Sequence, residues 1–278
     1  MKTICAVLLL LACAPFAFAG DHPDTDFERV LIPVFISGPG AQGAQWETAV
    51  DLTSTADRTI DLARPVLLYN YDRNCDPSCA TRTLESDVAV GLARALEHPA
   101  GLILWVPREI EKTDLHASIR VRDAARNASS AGTFVPLVRE DDLSSGRNVL
   151  LDVPVREGFR ASLRLYDLYL DQTDFEVSIY DMDEYRKGTW QALVTDVVTV
   201  VSDPPASALD LRYQQRPAFA FIGDLVAKYP QLAGHDSVAI VTWGAHPLYT
   251  PHPFEKRFYA LASATNNATN EVTIIAPR

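Results

Sequence analysis

One pattern occurs twice in this chain, and it limits the fold more than any other feature. A short apolar run ends in Ala-Gly, leads into a Trp-bearing strand, and is followed by a second strand and an Asn-containing turn. The first copy runs through Val88–Leu96, Ala100-Gly101, Leu102–Val106, Ala117–Val121 and Arg126-Asn127-Ala128-Ser129. The second runs through Phe221–Tyr229, Ala233-Gly234, Val238–Trp243, Phe258–Ala262 and Asn266-Asn267-Ala268-Thr269. Beyond each turn, Thr133-Phe134-Val135-Pro136 falls at the same offset as Thr273-Ile274-Ile275-Ala276. Self-similarity of this length implies two copies of one folding unit.

Each unit reads as β. Trp46, Thr48, Val50 and Leu52 alternate with Glu47, Ala49, Asp51 and Thr53, the period of a half-buried strand. Phe159–Tyr166, Phe175–Tyr180 and His116–Arg122 alternate in the same way. Leu102–Val106 is apolar on both faces, as in a strand covered on each side. Short strands broken by Gly, Pro, Asn and Asp predict antiparallel sandwiches. Helix is restricted to two short caps, expected at Val88–Leu96 and Phe221–Tyr229, each ending before a proline. The fold expected is therefore all-β: two tandem antiparallel β-sandwiches, immunoglobulin-like in the broad sense, with short helical caps. The expected units are residues 20–138 and 139–278. Trp46, Trp105 and Trp243 are assigned to the cores.

Residues 1–19 read as a secretory signal: Lys2 at the start, an apolar stretch from Ile4 to Leu11, and an Ala17-Phe18-Ala19 cleavage site. The rival is a lipoprotein signal, with Leu10-Leu11-Ala12 delivering Cys13 to lipidation. The apolar character of Ala14–Phe18 beyond Cys13 favours cleavage at Ala19. No stretch approaches the roughly 20 apolar residues of a transmembrane helix. The expected location is secreted or periplasmic. A net charge of −11 disfavours nucleic acid, whose phosphates need cationic partners.

Cys75 and Cys79, in the turn-rich Asn74-Cys75-Asp76-Pro77-Ser78-Cys79, are the cysteines that remain after such a signal. A local disulfide is their expected state in an exported chain. A metal site there would need two further ligands.

Two segments carry a family resemblance: Arg257–Arg278, and Arg29–Phe35 followed by Gly43–Thr53. They resemble the strand pairs of tandem β-sandwich domains in exported proteins of acidobacteria-like environmental bacteria. That resemblance implies the fold and export, and brings no catalytic residues with it.

Candidate chemistry is sparse. There is no Gly-x-Ser-x-Gly elbow, zinc helix, phosphate loop or dinucleotide fingerprint. His246 and His252 with Glu255 could approach a metal, but both histidines precede proline in a loop-like stretch, where a solvated connection is the simpler reading. Asp181, Asp183 and Glu184 at a strand end, and Asp21, Asp24, Asp26 and Glu28, could offer oxygens to calcium. Neither run has the spacing of a calcium loop, and acidic runs arise readily in so acidic a chain. Asn127 and Asn267 fit a glycosylation pattern but are better explained as turn residues. Tyr166, Tyr169, Tyr180 and Tyr185, with Trp190, crowd one region and either finish a sheet or stack on a sugar or a partner. The weak binding candidates are therefore Tyr166, Tyr169, Tyr180, Asp181, Asp183 and Tyr185. The function expected is a non-catalytic binding or spacer module, without cofactor, for an extracellular protein or glycan. A glycan-binding module or a polymer hydrolase using carboxylates or a loop metal is the alternative.

Overall fold

The computed structural model describes residues 27–40, 43–55, 60–63, 81–84, 89–91, 101–110, 114–125, 132–168, 172–201, 217–244 and 257–278. Every strand ladder among them is antiparallel.

The N-terminal strands are β1 (Phe27–Ile32), β2 (Ser37–Pro39), β3 (Gln45–Ser54), β4 (Ile60–Ala63), β5 (Thr81–Leu84), β6 (Ala89–Gly91), β7 (Leu102–Pro107), β8 (Leu115–Asp123) and β9 (Thr133–Phe134). They form two sheets, β1-β7-β4-β5 and β2-β3-β8-β9, with β6 also on β3. The C-terminal strands are β10 (Arg147–Pro154), β11 (Phe159–Asp167), β12 (Gln172–Asp181), β13 (Val194–Val201), β14 (Ala218–Ile222), β15 (Ser237–Gly244), β16 (Phe258–Asn266) and β17 (Val272–Ile275). These make one eight-stranded sheet in the order β10-β15-β12-β13-β14-β11-β16-β17.

Read in chain order, the strand neighbours of the two sets correspond. β1-β7-β4-β5 falls on β10-β15-β12-β13, and β6-β3-β8-β9 falls on β14-β11-β16-β17. Among the described residues one pair, Val201 with Phe219, links the two halves of the C-terminal set across β13 and β14. On the opposite side β10 lies close to β16, and the Arg278 amide donates to the Val149 carbonyl at 3.1 Å. The all-β, antiparallel expectation holds, but the C-terminal strands form a nearly closed, barrel-like sheet that is not clearly a sandwich.

Alternation decides which side chains fill that barrel. Phe175, Val177 and Ile179 of β12 point inward and are fully buried, whereas Asp174 and Glu176 face water. Leu163 and Leu165 of β11 join them, with Leu150, Val238, Ile240 and Phe258. The Phe175 and Phe258 rings meet edge to face at 5.2 Å. β11 departs from the half-buried expectation, because Ser162, Arg164 and Tyr166 on its other face are buried too. For Tyr166 the cover comes from the N-terminal set. Tyr166, Leu168, Tyr259 and Leu261 belong to one core cluster with Val30, Leu31, Ile32, Val50, Ile103 and Ile119. The Tyr166 hydroxyl donates to the Pro33 carbonyl, and Leu31 and Val138 exchange both backbone hydrogen bonds, at 2.7 and 3.0 Å. The outer face of the barrel thus completes the core of the first strand set.

The helical expectations need correction. Residues 89–91, expected to open a cap helix, are strand β6, paired to Asp51–Thr53 of β3; a short apolar run does not distinguish the two states. Phe221 and Ile222 likewise belong to β14, opposite Arg164 and Leu163. Helix α2 spans only Leu225–Lys228 and begins where the Asp224 side chain accepts from the Val226 and Ala227 amides, both at 3.0 Å. The Asn-rich turn behaves as read: the Asn266 side chain accepts from the Ala268 amide at 2.9 Å, and Asn270 takes a left-handed φ of 57°.

Candidate functional site

Helix α1 (Met182–Arg186) follows β12 directly and carries two of the binding candidates read from the sequence, Asp183 and Tyr185, while Tyr180 and Asp181 close the strand before it. Asp181 sets its start. One carboxylate oxygen accepts from the Asp183 and Glu184 amides, each at 3.0 Å, and the other lies 2.7 Å from His235 Nδ1. The bond from the Glu184 amide, then that from His235, holds the Asp181 carboxyl below its ordinary range. Asp183 and Glu184 in the first turn and Arg186 in the last suit the helix dipole. Met182 is buried and anchors the turn to the barrel. Gly188, at φ +81°, ends the turn, and the Thr189 amide returns to the Glu184 carbonyl at 2.9 Å.

That reversal brings Trp190 back over two tyrosines. Tyr185 and Trp190 meet with ring centroids 5.0 Å apart, Tyr180 and Tyr185 at 5.6 Å, and Tyr180 and Trp190 at 6.3 Å. The planes cross at 53° to 83°, so the rings form a wedge and not a flat row. Trp190 is 61% exposed, with Tyr180 and Tyr185 half-buried beneath it. Around the wedge stand Lys187, paired with Glu184 at 2.8 Å, and Arg186, bridged to Asp152 and 3.6 Å from Asp183. Asp152 occupies a bulge of β10 between Leu150 and Val153, with a left-handed φ of 57°. An exposed indole on a packed base suits contact with an apolar pocket or a sugar face.

The structure thus brings together Tyr180, Asp181, Asp183 and Tyr185, and separates Tyr166 from them. Tyr166 is a core residue, 0% exposed, touching Phe219 and Tyr259. Burial pushes its hydroxyl up to about 12, against a smaller opposing effect of Arg164. Asp181, Asp183 and Glu184 are engaged by the cap and by ion pairs, and no group of three or more His, Cys, Asp or Glu among the described residues could hold a metal. Glu28, counted with an acidic run, is buried against Arg139. Trp243, assigned to the core, is 53% exposed, because on β15 it stands on the outer face, opposite Glu176 and Arg147. Tyr169, Cys75, Cys79, His246, His252, Glu255, Asn127 and residues 1–26 lie outside the described residues. His235 was not among the residues read from sequence, where nothing links it to Asp181.

Comparison of the chain with protein-family models, with curated proteins and with solved structures returned no match. Among the described residues no helix is long and apolar enough to cross a membrane.

Proposed function

We propose that this chain is a non-catalytic exported binding module, built from two related β-sandwich-like units and working in the periplasm or outside the cell. The observation that carries this reading is Trp190, 61% exposed yet held in place by Tyr180 and Tyr185. A large apolar side chain at that exposure is more useful at a contact than in solvent. The crossed ring planes favour a protein partner with an apolar pocket as the ligand. A glycan is the second reading, supported by the open indole, on which one sugar ring can stack. Residues 1–19 act as the export signal, with lipidation at Cys13 as the alternative, and the Cys75–Cys79 disulfide stiffens a loop.

The test compares the exported protein with Trp190→Ala in binding to a glycan and cell-wall polymer panel and to envelope proteins. The reading expects Trp190→Ala to fold normally and lose binding. Equal binding by both proteins would remove the wedge from the function, and selective loss of glycan binding would favour the second reading. The mass of the exported chain separates cleavage after Ala19 from lipidation at Cys13.

A further inference from the structure

The barrel-like sheet is not sealed between β13 and β14. Among the described residues one pair joins them, Val201 with Phe219, and below it the strands part and leave a groove of about 450 Å³. One wall is Asp196–Thr199 of β13, and the other is Phe221–Asp224, with Lys228 at the foot. β13 is paired to β12 along its whole length on its other edge. Amides in a strand point alternately to its two edges. Since Val201 reaches β14, the amides of Thr195, Val197 and Thr199 point into the groove. The Val197 amide confirms this direction, because it is met by the side chain of its own neighbour, Asp196 Oδ1, at 2.9 Å. That carboxylate oxygen stands where the carbonyl of an adjoining strand would stand. Val197, Val201 and Phe221 flank the opening and are 62%, 47% and 45% exposed.

We propose that this seam receives a single extended segment of a partner polypeptide, which adds to β13 as a strand and fills the gap in the sheet. Main-chain donors along a strand edge recognise another strand, and the apolar side chains beside them select alternating apolar residues. β14 and the start of α2 line the side of the groove that faces β13. The groove lining carries two carboxylates, Asp196 and Asp224, against one ammonium, Lys228, in a chain of net charge −11. The segment it takes therefore carries a cationic residue among its apolar ones. This site is separate from the Trp190 wedge and does not depend on it.

The probe is an array of synthetic peptides of about nine residues, near the length of an ordinary strand, alternating valine and threonine with lysine or aspartate at successive polar positions. Each is titrated against the full chain. Lysine peptides are expected to bind and aspartate peptides not to. Val197→Pro removes one groove-facing donor without touching the β12 ladder, and is expected to weaken binding about tenfold, the worth of one good hydrogen bond. Phe221→Ser, which keeps every backbone donor, is expected to weaken it as well and decides the matter if Val197→Pro does not fold. Trp190→Ala is expected to leave peptide binding unchanged. Absence of binding across the array, or wild-type affinity in both folded seam variants, overturns the proposal.

Discussion

Glu28 and Arg139 lie more than a hundred residues apart in sequence and meet in a buried fork, the Arg139 Nε donating to both carboxylate oxygens at 3.1 and 3.0 Å. The next residue on each side repeats the pairing with the charges reversed, Arg29 Nε donating to Glu140 at 2.9 Å. Arg29 also reaches the Leu168 carbonyl at 3.3 Å, and the Glu140 amide donates to Glu28 at 3.2 Å. Strand β1 is thus clasped to the segment that leads into the second strand set, beside the shared core.

Such a clasp shows its importance when half of it is removed. Arg139→Ala leaves Glu28 buried without its main cation, and an uncompensated buried charge costs about 3–5 kcal/mol. The Glu28 and Arg139 side chains each keep 10% exposure, which places the expected loss toward the lower figure. Joint replacement by Glu28→Leu and Arg139→Met is expected to recover much of it, because the desolvation cost disappears with the charges. Urea unfolding of the two variants checks both statements.

Acid is expected to loosen the same junction. Burial would raise the Glu140 carboxyl, but the Arg29 charge and hydrogen bonds from Arg108 and Arg29 outweigh it and hold the group below its ordinary value of 4.5. A depressed carboxyl contributes stability that is present above its unfolded value and lost as pH falls through the folded one. Stability is therefore expected to fall as pH drops below about 4.5, and Glu140→Gln to reduce that fall while lowering stability at neutral pH. Urea midpoints at neutral and acid pH, compared between the two proteins, test it. An unchanged acid slope in the variant would assign the loss to other carboxyls.

Alkali is expected to act on the same shared core. Tyr166 is 0% exposed, its hydroxyl donates to Pro33, and burial moves its ionisation up to about 12 from an ordinary 10.0. A raised value in the folded state gives stability that is full below pH 10 and lost as pH rises toward 12. The loss is on the order of 3 kcal/mol across that window. Tyr229 and Tyr259 are shifted upward as well, mainly by burial, and add to it. Tyr166→Phe is expected to cost about 1 kcal/mol at neutral pH, leaving the Pro33 carbonyl without this donor, and to flatten part of the alkaline decline. Thermal unfolding followed across alkaline pH reads both effects.

Much of the architecture was legible because β-alternation is local. Phe175, Val177 and Ile179 mark the buried face of β12 from their own spacing, and the strand neighbours of β7, β8 and β9 correspond to those of β15, β16 and β17. What the sequence could not reveal is the distant partner of each face. Tyr166 looks like part of a solvated face of β11 until the first strand set covers it. Trp243 looks like core until its register places it outside. At the candidate site, the aromatic crowding was readable, but the role of Asp181 was not. An acid at a strand end serves a metal or a helix cap equally well, and the amides of Asp183 and Glu184 decide between them. The seam beside β13 was invisible for the same reason, since Thr195, Val197 and Thr199 read as ordinary strand whether or not β14 pairs with them.

The glycines that precede β7 and β15 separate two effects. Gly101 and Gly234 follow an alanine in each copy of the pattern, and both are left-handed, at φ +84° and +92°. Any side chain at either position meets the same backbone penalty, roughly 1–2 kcal/mol. Only Gly101 is also crowded: a Cβ there would sit 2.6 Å from the Ile32 carbonyl oxygen on buried β1, whereas one at Gly234 would meet nothing within 4 Å. That oxygen belongs to the backbone of β1, paired to β7 residue by residue, and cannot swing aside as a side-chain tip would. Gly234→Ala is therefore expected to cost the backbone penalty alone, while Gly101→Ala costs more and disturbs the β1–β7 ladder. Urea unfolding ranks the two variants, and amide exchange at Leu31 and Ile32 reports the ladder. Equal losses in both, with unchanged exchange at those amides, would mean that β1 yields to the added methyl and that the backbone conformation alone demands glycine.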